Sequence, residues 1–270
     1  MAAMQGEGGG AGGRVTLARE GALAWIVLDN QARLNALDTS MWKALPGLIA
    51  EAEADDDVRV VMIRGAGTRA FSAGADISEF DRARTGDESR RYDALNHAAF
   101  DAIAVCAKPT VAAIQGFCLG GGLEIALCCD LRLAAEGSSF AIPAARLGIG
   151  YDPRWMRPLL SAVSAARAKE ILFTGRRFAH ADALAMGLVN AVHAPDALEA
   201  AARALAGEIA ANAPLSIRAA KATVDALAAM PQGVDLAALD RMVAACFASE
   251  DYAEGRAAFM AKRKPAFKGK

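Results

Sequence analysis

Two short apolar runs do most to constrain this chain: VRVVMIRG (residues 58–65) and TVAAIQG (residues 110–116). Each is apolar, rich in β-branched side chains and closed by a glycine, so each reads as a buried strand. Between them TGDESRRYDALNHAAFDAIAVC (residues 85–106) reads as a helix, broken by Lys108-Pro109. Strands alternating with helices indicate an α/β class. Upstream, alternating runs at residues 15–18 and 23–28 flank Glu20-Gly21 and predict a hairpin. LDTSMWKALPGLIAEAEADDD (residues 37–57) takes Asp38 or Thr39 as a cap and has helical apolar spacing. Pro46 inside it predicts a kink or a restart.

From about Ser161 the chain turns alanine-rich and helically periodic, with almost no strand signal. SAARAKEILFTG (164–175), HADALAMGLVN (180–190), PDALEAAARALAGEIAANAP (195–214) and LSIRAAKATVDALAAM (215–230) are the clearest helices. The opening MAAMQGEGGGAGG reads as a flexible leader over 1–13, without the apolar core of a signal peptide. A strand-rich core over 14–200 and a helical region over 201–270 follow.

Charge and cysteine use narrow the function. The 270 residues are 54% hydrophobic with a formal net charge of −1, so no basic field calls for nucleic acid or an anionic membrane. Cys106, Cys118, Cys128, Cys129 and Cys246 lack paired spacing and sit in apolar sequence, which fits reduced thiols and a cytoplasmic location. His97, His180 and His193 are scattered and form no metal-ligand spacing. No apolar run reaches the roughly 18–20 uncharged residues that a membrane span needs. A soluble enzyme without a metal is the expectation.

Two glycine-centred turns carry the chemistry: FSAGADISEF (71–80) and GFCLGGGLEIALCCD (116–130). Each follows an apolar strand and is expected to open a helix, where backbone N–H groups lack partners. Gly74 and Gly120-Gly121-Gly122 would let a ligand approach the main chain closely. Neither a G-x-x-x-x-G-K-[ST] nor a G-x-G-x-x-G motif is present, so nucleotide-phosphate binding is not indicated. Asp76 reads as a cap at the start of a helix over DISEF. Glu124 stands among apolar neighbours, so its carboxyl is expected to be desolvated and raised in pKa.

These turns, with KPTVAAIQG between them, LFTGRRFAHADALAMGLVN later and SEDYAEGRAAFMAKRKPAF at the end, resemble the enoyl-CoA hydratase/isomerase (crotonase) superfamily. The resemblance runs from about residue 15 to 267. It implies a crotonase-type α/β spiral of ββα units with a C-terminal helical region that forms a trimer or hexamer. It implies that the N–H groups of Ala75 and Gly121 bind the thioester oxygen, and that Glu124 is one of two catalytic carboxylates. Ala73, Asp76, Ile77 and Ser78 match the acyl-CoA contact segment, and Leu34 and Ala36 the segment that wraps the adenine and pantetheine. Phe259 and Lys262 match residues that approach the nucleotide end of CoA in a neighbouring subunit.

The chain departs from that pattern after Pro143. The family's hydratases carry a glutamate there, and this chain has Ala144, which cannot transfer a proton. The turn GIGYDPRWM (148–156) is also altered. Tyr151 and Asp152 in it are candidate pocket residues, as replacement acid or water-positioning group, although Asp152 before Pro153 is also a natural turn residue. Arg146, Arg154 and Arg157 read as solvated, or as a site for an anionic acyl tail. The resemblance implies hydration of a 2-enoyl-CoA through an enolate, CoA being part of the substrate and no cofactor being needed. Isomerisation, decarboxylation or thioester hydrolysis are alternatives, as is a CoA- or RNA-binding relative with little catalysis.

Overall fold

The computed structural model describes residues 12–79, 86–228 and 247–263, with 237, 241, 244, 245 and 265. Most of the leader, Phe80, Cys246 and the tail lysines Lys264, Lys268 and Lys270 lie outside the described residues.

The hairpin forms as its sequence predicts. β1 (Arg14–Glu20) and β2 (Leu23–Asp29) pair antiparallel, and Gly21 supplies the positive φ of 58° at the turn. β3 (Val60–Gly65) lies parallel to β2, followed across the sheet by β5 (Thr110–Ile114), β7 (Leu131–Ala135) and β10 (Ala191–His193). A second sheet of four strands takes β4 (Ala70–Ser72), β6 (Phe117–Leu119), β8 (Ser139–Ala141) and β9 (Phe178–Ala179). Each pair β3–β4, β5–β6 and β7–β8 thus gives its first strand to one sheet and its second to the other. A helical segment follows each pair, which is the repeating ββα spiral.

Successive strand residues face opposite ways. Val61 and Ile63 point into the main core, while Val60 and Met62 point to the other side with Trp25, Val111 and Leu133. That outer face is covered by Leu198, Ala202 and Ala206 of the helix Leu198–Ala210. Among the described residues the helices, in chain order, are α1 (Thr39–Ala54), α2 (Gly86–Ala104), α3 (Gly121–Cys128), α4 (Pro153–Ala162), α5 (Ala165–Thr174), α6 (His180–Ala185), α7 (Leu198–Ala210), α8 (Pro214–Ala228) and α9 (Glu250–Met260).

Three sequence expectations are corrected, in whole or in part. Pro46 does not restart α1, which runs through it as one element. A mid-helix proline costs about 3 kcal/mol, but burying Met41, Trp42, Leu45 and Ile49 returns roughly 1.5–3 kcal/mol each, so packing wins. The strand-poor reading after Ser161 misses β9 and β10, which are two and three residues long and are set by their neighbours β8 and β7. The glycine-turn reading is also half right: α3 follows the second turn, while the first leads into a single 3-10 turn, Ile77–Glu79.

Candidate active site

The two glycine turns meet. A short bridge pairs Leu37 with Ala75, using the Leu37 N–H on the Gly74 carbonyl and the Asp76 N–H on the Leu37 carbonyl. The N–H of Ala75 stays outside that bridge. Gly74, at φ 93°, packs so closely that a Cβ there would lie 2.8 Å from the Leu119 carbonyl and 3.0 Å from the Gly121 nitrogen. Gly121 begins α3 behind the Gly120 cap, so its N–H belongs to the set without intrahelical partners. A Cβ on Gly121 would stand 3.7 Å from the Ala75 nitrogen and 3.2 Å from the Trp42 ring. The main-chain nitrogens of Ala75 and Gly121 therefore lie close together beside the Trp42 ring. Glycine is required at Gly122 as well, since a Cβ there would press on the Ser72 side chain and carbonyl.

Glu124 sits one turn into α3 with no exposed surface. The helix N-terminus favours its anion by about 0.3–1 kcal/mol. Burial disfavours the anion more, and the carboxyl is pushed up to about 8. The Tyr151 hydroxyl opposes the shift by donating to Oε2 at 2.8 Å, while the charge of Asp152 adds to it. Burial raises the Tyr151 phenol well above its ordinary value, so it remains a donor. The Cys128 thiol lies 4.0 Å from Oε1. Cys118, Cys128 and Cys129 are all buried and raised by desolvation, as packing thiols would be.

Asp152 caps α4, accepting the Arg154 N–H at 2.8 Å. Its other oxygen lies 2.9 Å from His97 Nε2 on α2. Burial alone would raise this carboxyl, but the bonds from His97 and Arg154 outweigh it and hold it below the ordinary value. A ladder of edge-on rings backs the pair: Trp155 meets Tyr151 at 5.5 Å, His97 at 5.5 Å and Phe100 at 5.4 Å, and Phe100 meets Trp42 at 5.4 Å.

The remaining sequence-predicted positions fall into two groups. Leu34, Ala36, Ala73, Asp76, Ile77 and Ser78 line one continuous backbone seam. There the Leu34 carbonyl accepts the Ala73 N–H at 2.9 Å, and Ala36 is buried beside Leu37. Asp76 does cap its turn, through the Ser78 N–H, and also pairs with Arg33. Phe259 lines a cavity of about 100 Å³ with Ile77, Ser78, Leu147 and Ile149 of its own chain. Lys262 follows one turn later, exposed and at φ 53°. Ala144 is buried at the start of the 3-10 turn Ala144–Leu147, and its methyl brings no proton-transfer group.

The arginines do not assemble an acyl-tail site. Arg154 pairs with Asp152, Arg157 donates to the Asp225 carbonyl and Arg146 packs along Gly175. Sequence reasoning missed His97, Trp42, Tyr92 and Trp155. The buried spacing Tyr92–Asn96–Phe100 was a usable signal for the inward face of α2. Nothing local marked His97, whose partner lies 55 residues away.

Comparison with known proteins agrees with this fold. The enoyl-CoA hydratase/isomerase family profile matches residues 18–270. The short-chain-enoyl-CoA hydratase of Clostridium acetobutylicum is 35% identical over 250 residues, covering 93% of this chain and 95% of its own. An enoyl-CoA hydratase/carnithine racemase from Magnetospirillum magneticum superposes with a TM-score of 0.78 at 41% identity, over 95% of this chain and 96% of that one. A methylmalonyl-CoA decarboxylase in complex with 2-nitronate-propionyl-CoA superposes at 0.87 with 29% identity, over 95% and 99%. With the spiral of paired sheets, the converging glycine turns and matches over nearly the whole length, the chain belongs to the enoyl-CoA hydratase/isomerase (crotonase) family.

Proposed function

We propose that the protein adds water to a short-chain 2-enoyl-CoA thioester, with the N–H groups of Ala75 and Gly121 holding the enolate oxygen. The observation that carries this is Glu124, a fully buried carboxyl near pKa 8 one turn from those N–H groups. As water's oxygen bonds to the β-carbon, the electron pair moves onto the thioester oxygen. Each preorganised donor aimed at that charge is worth about 3–4 kcal/mol. The carboxylate form of Glu124 takes the water's proton and then returns it to the α-carbon. At pH 7 a group near 8 is ionised in about a tenth of molecules, which sustains this one-acid cycle.

Ala144 is the reason for a cycle with one acid: no carboxyl follows Pro143. The relative named for short-chain substrates and the rings of Tyr151, Trp155, Phe100 and Trp42 behind Glu124 support a small acyl group. The reading needs no metal or redox cofactor and a cytoplasmic setting suits it. A homotrimer or hexamer is part of it, because Leu215 and Val224 on α8 are 79% and 63% exposed.

Decarboxylation of a malonyl-type thioester is the second reading. The 0.87 superposition on a decarboxylase favours it, as does the single acid, since loss of CO₂ makes the enolate without a base. Purified protein given crotonyl-CoA, a 3-enoyl-CoA and methylmalonyl-CoA separates the readings. Hydration falling about 10²- to 10⁴-fold in Glu124→Gln is the expected result. Hydration no faster than in Glu124→Gln, with CO₂ released from methylmalonyl-CoA, would replace the first reading with the second.

A further inference from the structure

The phenol of Tyr151 is the nearest hydrogen-bond donor to Glu124, and it has little freedom to move. Its hydroxyl donates to Oε2 at 2.8 Å. Its ring is packed edge-on by Trp155, which is itself backed by His97 and Phe100. Its chain neighbour Asp152 is pinned by the Arg154 N–H and by His97 Nε2, so the backbone at residue 151 is anchored from both α4 and α2. Among the described residues, the hydrogen-bond contact shown for Oε1 is the Cys128 thiol, at 4.0 Å.

We infer that Tyr151 is a positioning residue for Glu124: its hydroxyl holds Oε2 as a standing acceptor and leaves Oε1 as the oxygen that takes and returns the proton. A phenol has a single hydrogen, and here it is given to Oε2. The proton of the neutral acid is then confined to Oε1, so one oxygen both takes the proton from water and returns it to the α-carbon. This assignment rests on the proposed role of Glu124 and goes beyond it by naming the reacting oxygen and the group that selects it. The other titratable or charged groups around the carboxyl are Cys128 on α3, His97 and Asp101 on α2, and Asp152 with Arg154 at the start of α4. Among the described residues, the hydrogen bond shown to Oε2 comes from Tyr151.

The test is Tyr151→Phe, which removes one oxygen and keeps the ring. The titration of Glu124 is followed by its carboxyl infrared band in the ligand-free protein, with Glu124→Gln as the blank. Because the phenol stabilises the anion, its loss is expected to move this titration upward. Hydration kcat at pH 7 is expected to fall about 10- to 100-fold with KM within about twofold. A fluorinated tyrosine at 151 retains the fold and donates more strongly, so it is expected to move the titration downward. A titration left in place by both variants would overturn the inference. Because the infrared readout uses no substrate, a protein that fails to hydrate enoyl-CoA but shows the shifts would sink the proposed reaction and leave Tyr151's role standing.

Discussion

At residue 124, burial and reactivity are one property. Taking the carboxylate out of water outweighs the pull of the helix N-terminus and the Tyr151 bond, and the net position is about 8. The sign of the pH response follows. Hydration needs the ionised form to receive water's proton, so kcat/KM should climb up to tenfold per pH unit below about 8 and level above it. Decarboxylation needs the neutral acid as proton donor and should instead decline above about 8. A pH–rate profile on each substrate reads this directly.

The same carboxyl sets a stability slope. The folded protein binds this proton more tightly than the unfolded chain, whose glutamate titrates near the ordinary 4.5. Stability contributed at this site is therefore complete below about 4.5 and falls by at most about 1.4 kcal/mol per pH unit up to about 8. Glu124→Gln lacks the titration, so its denaturation midpoint should gain on the wild type as pH rises from 5 to 8.

At the scale of elements, close backbone contacts place the donors. The start of α3 lies against β4 and the 73–76 segment because Gly74, Gly121 and Gly122 have no side chains to separate them. Gly74→Ala would set a Cβ 2.8 Å from the Leu119 carbonyl at a φ of 93°, which disfavours any side chain. The expected result is a loss of at least about tenfold in kcat with an unchanged far-ultraviolet circular dichroism spectrum, because the shift separates the Ala75 and Gly121 donors.

A second contact of this kind joins α9 to the 144–152 segment. Gly255 faces the Leu147 carbonyl and Gly148 faces Asp251, with no space for a Cβ at either position. Gly255→Val should cost about 1–3 kcal/mol, a fall of roughly 2–12 °C in Tm by calorimetry. Hydrogen exchange should rise first in α9 and in residues 144–152.

At the scale of the whole molecule, α8 carries exposed apolar side chains on two of its faces, Leu215 and Val224. Lys221 ties this helix to the sheet, its Nζ 2.8 Å from Asp130 Oδ2, and Asp130 in turn accepts the Thr110 N–H at 2.7 Å. Leu215 and Val224 stay uncovered within one chain. If subunits meet there, Leu215→Arg with Val224→Arg should yield a monomer by sedimentation while the wild type sediments as a trimer or larger. A wild type that is monomeric at micromolar concentration would remove this surface from the proposal.

Much of this was legible in residue order. The strand runs at 58–65 and 110–116, the hairpin, the cap at Asp38 and the glycine turns are local patterns, and local sterics and periodicity determine them. Glu124 could be read as a desolvated acid because its apolar neighbours are adjacent in sequence. The short strands β9 and β10 could not, since two or three residues pair only when a sheet edge is already there. Nor could continuity through Pro46, where long-range burial overrides a local cost. The partners of Glu124 belong to the same class. Tyr151 lies 27 residues away, and His97 reaches Asp152 across 55. Sequence alone determined which groups could do chemistry, because that is a property of side chains and their neighbours. Only the tertiary structure decided which of them touch, because contact distance depends on how two sheets and the helices between them close around α3.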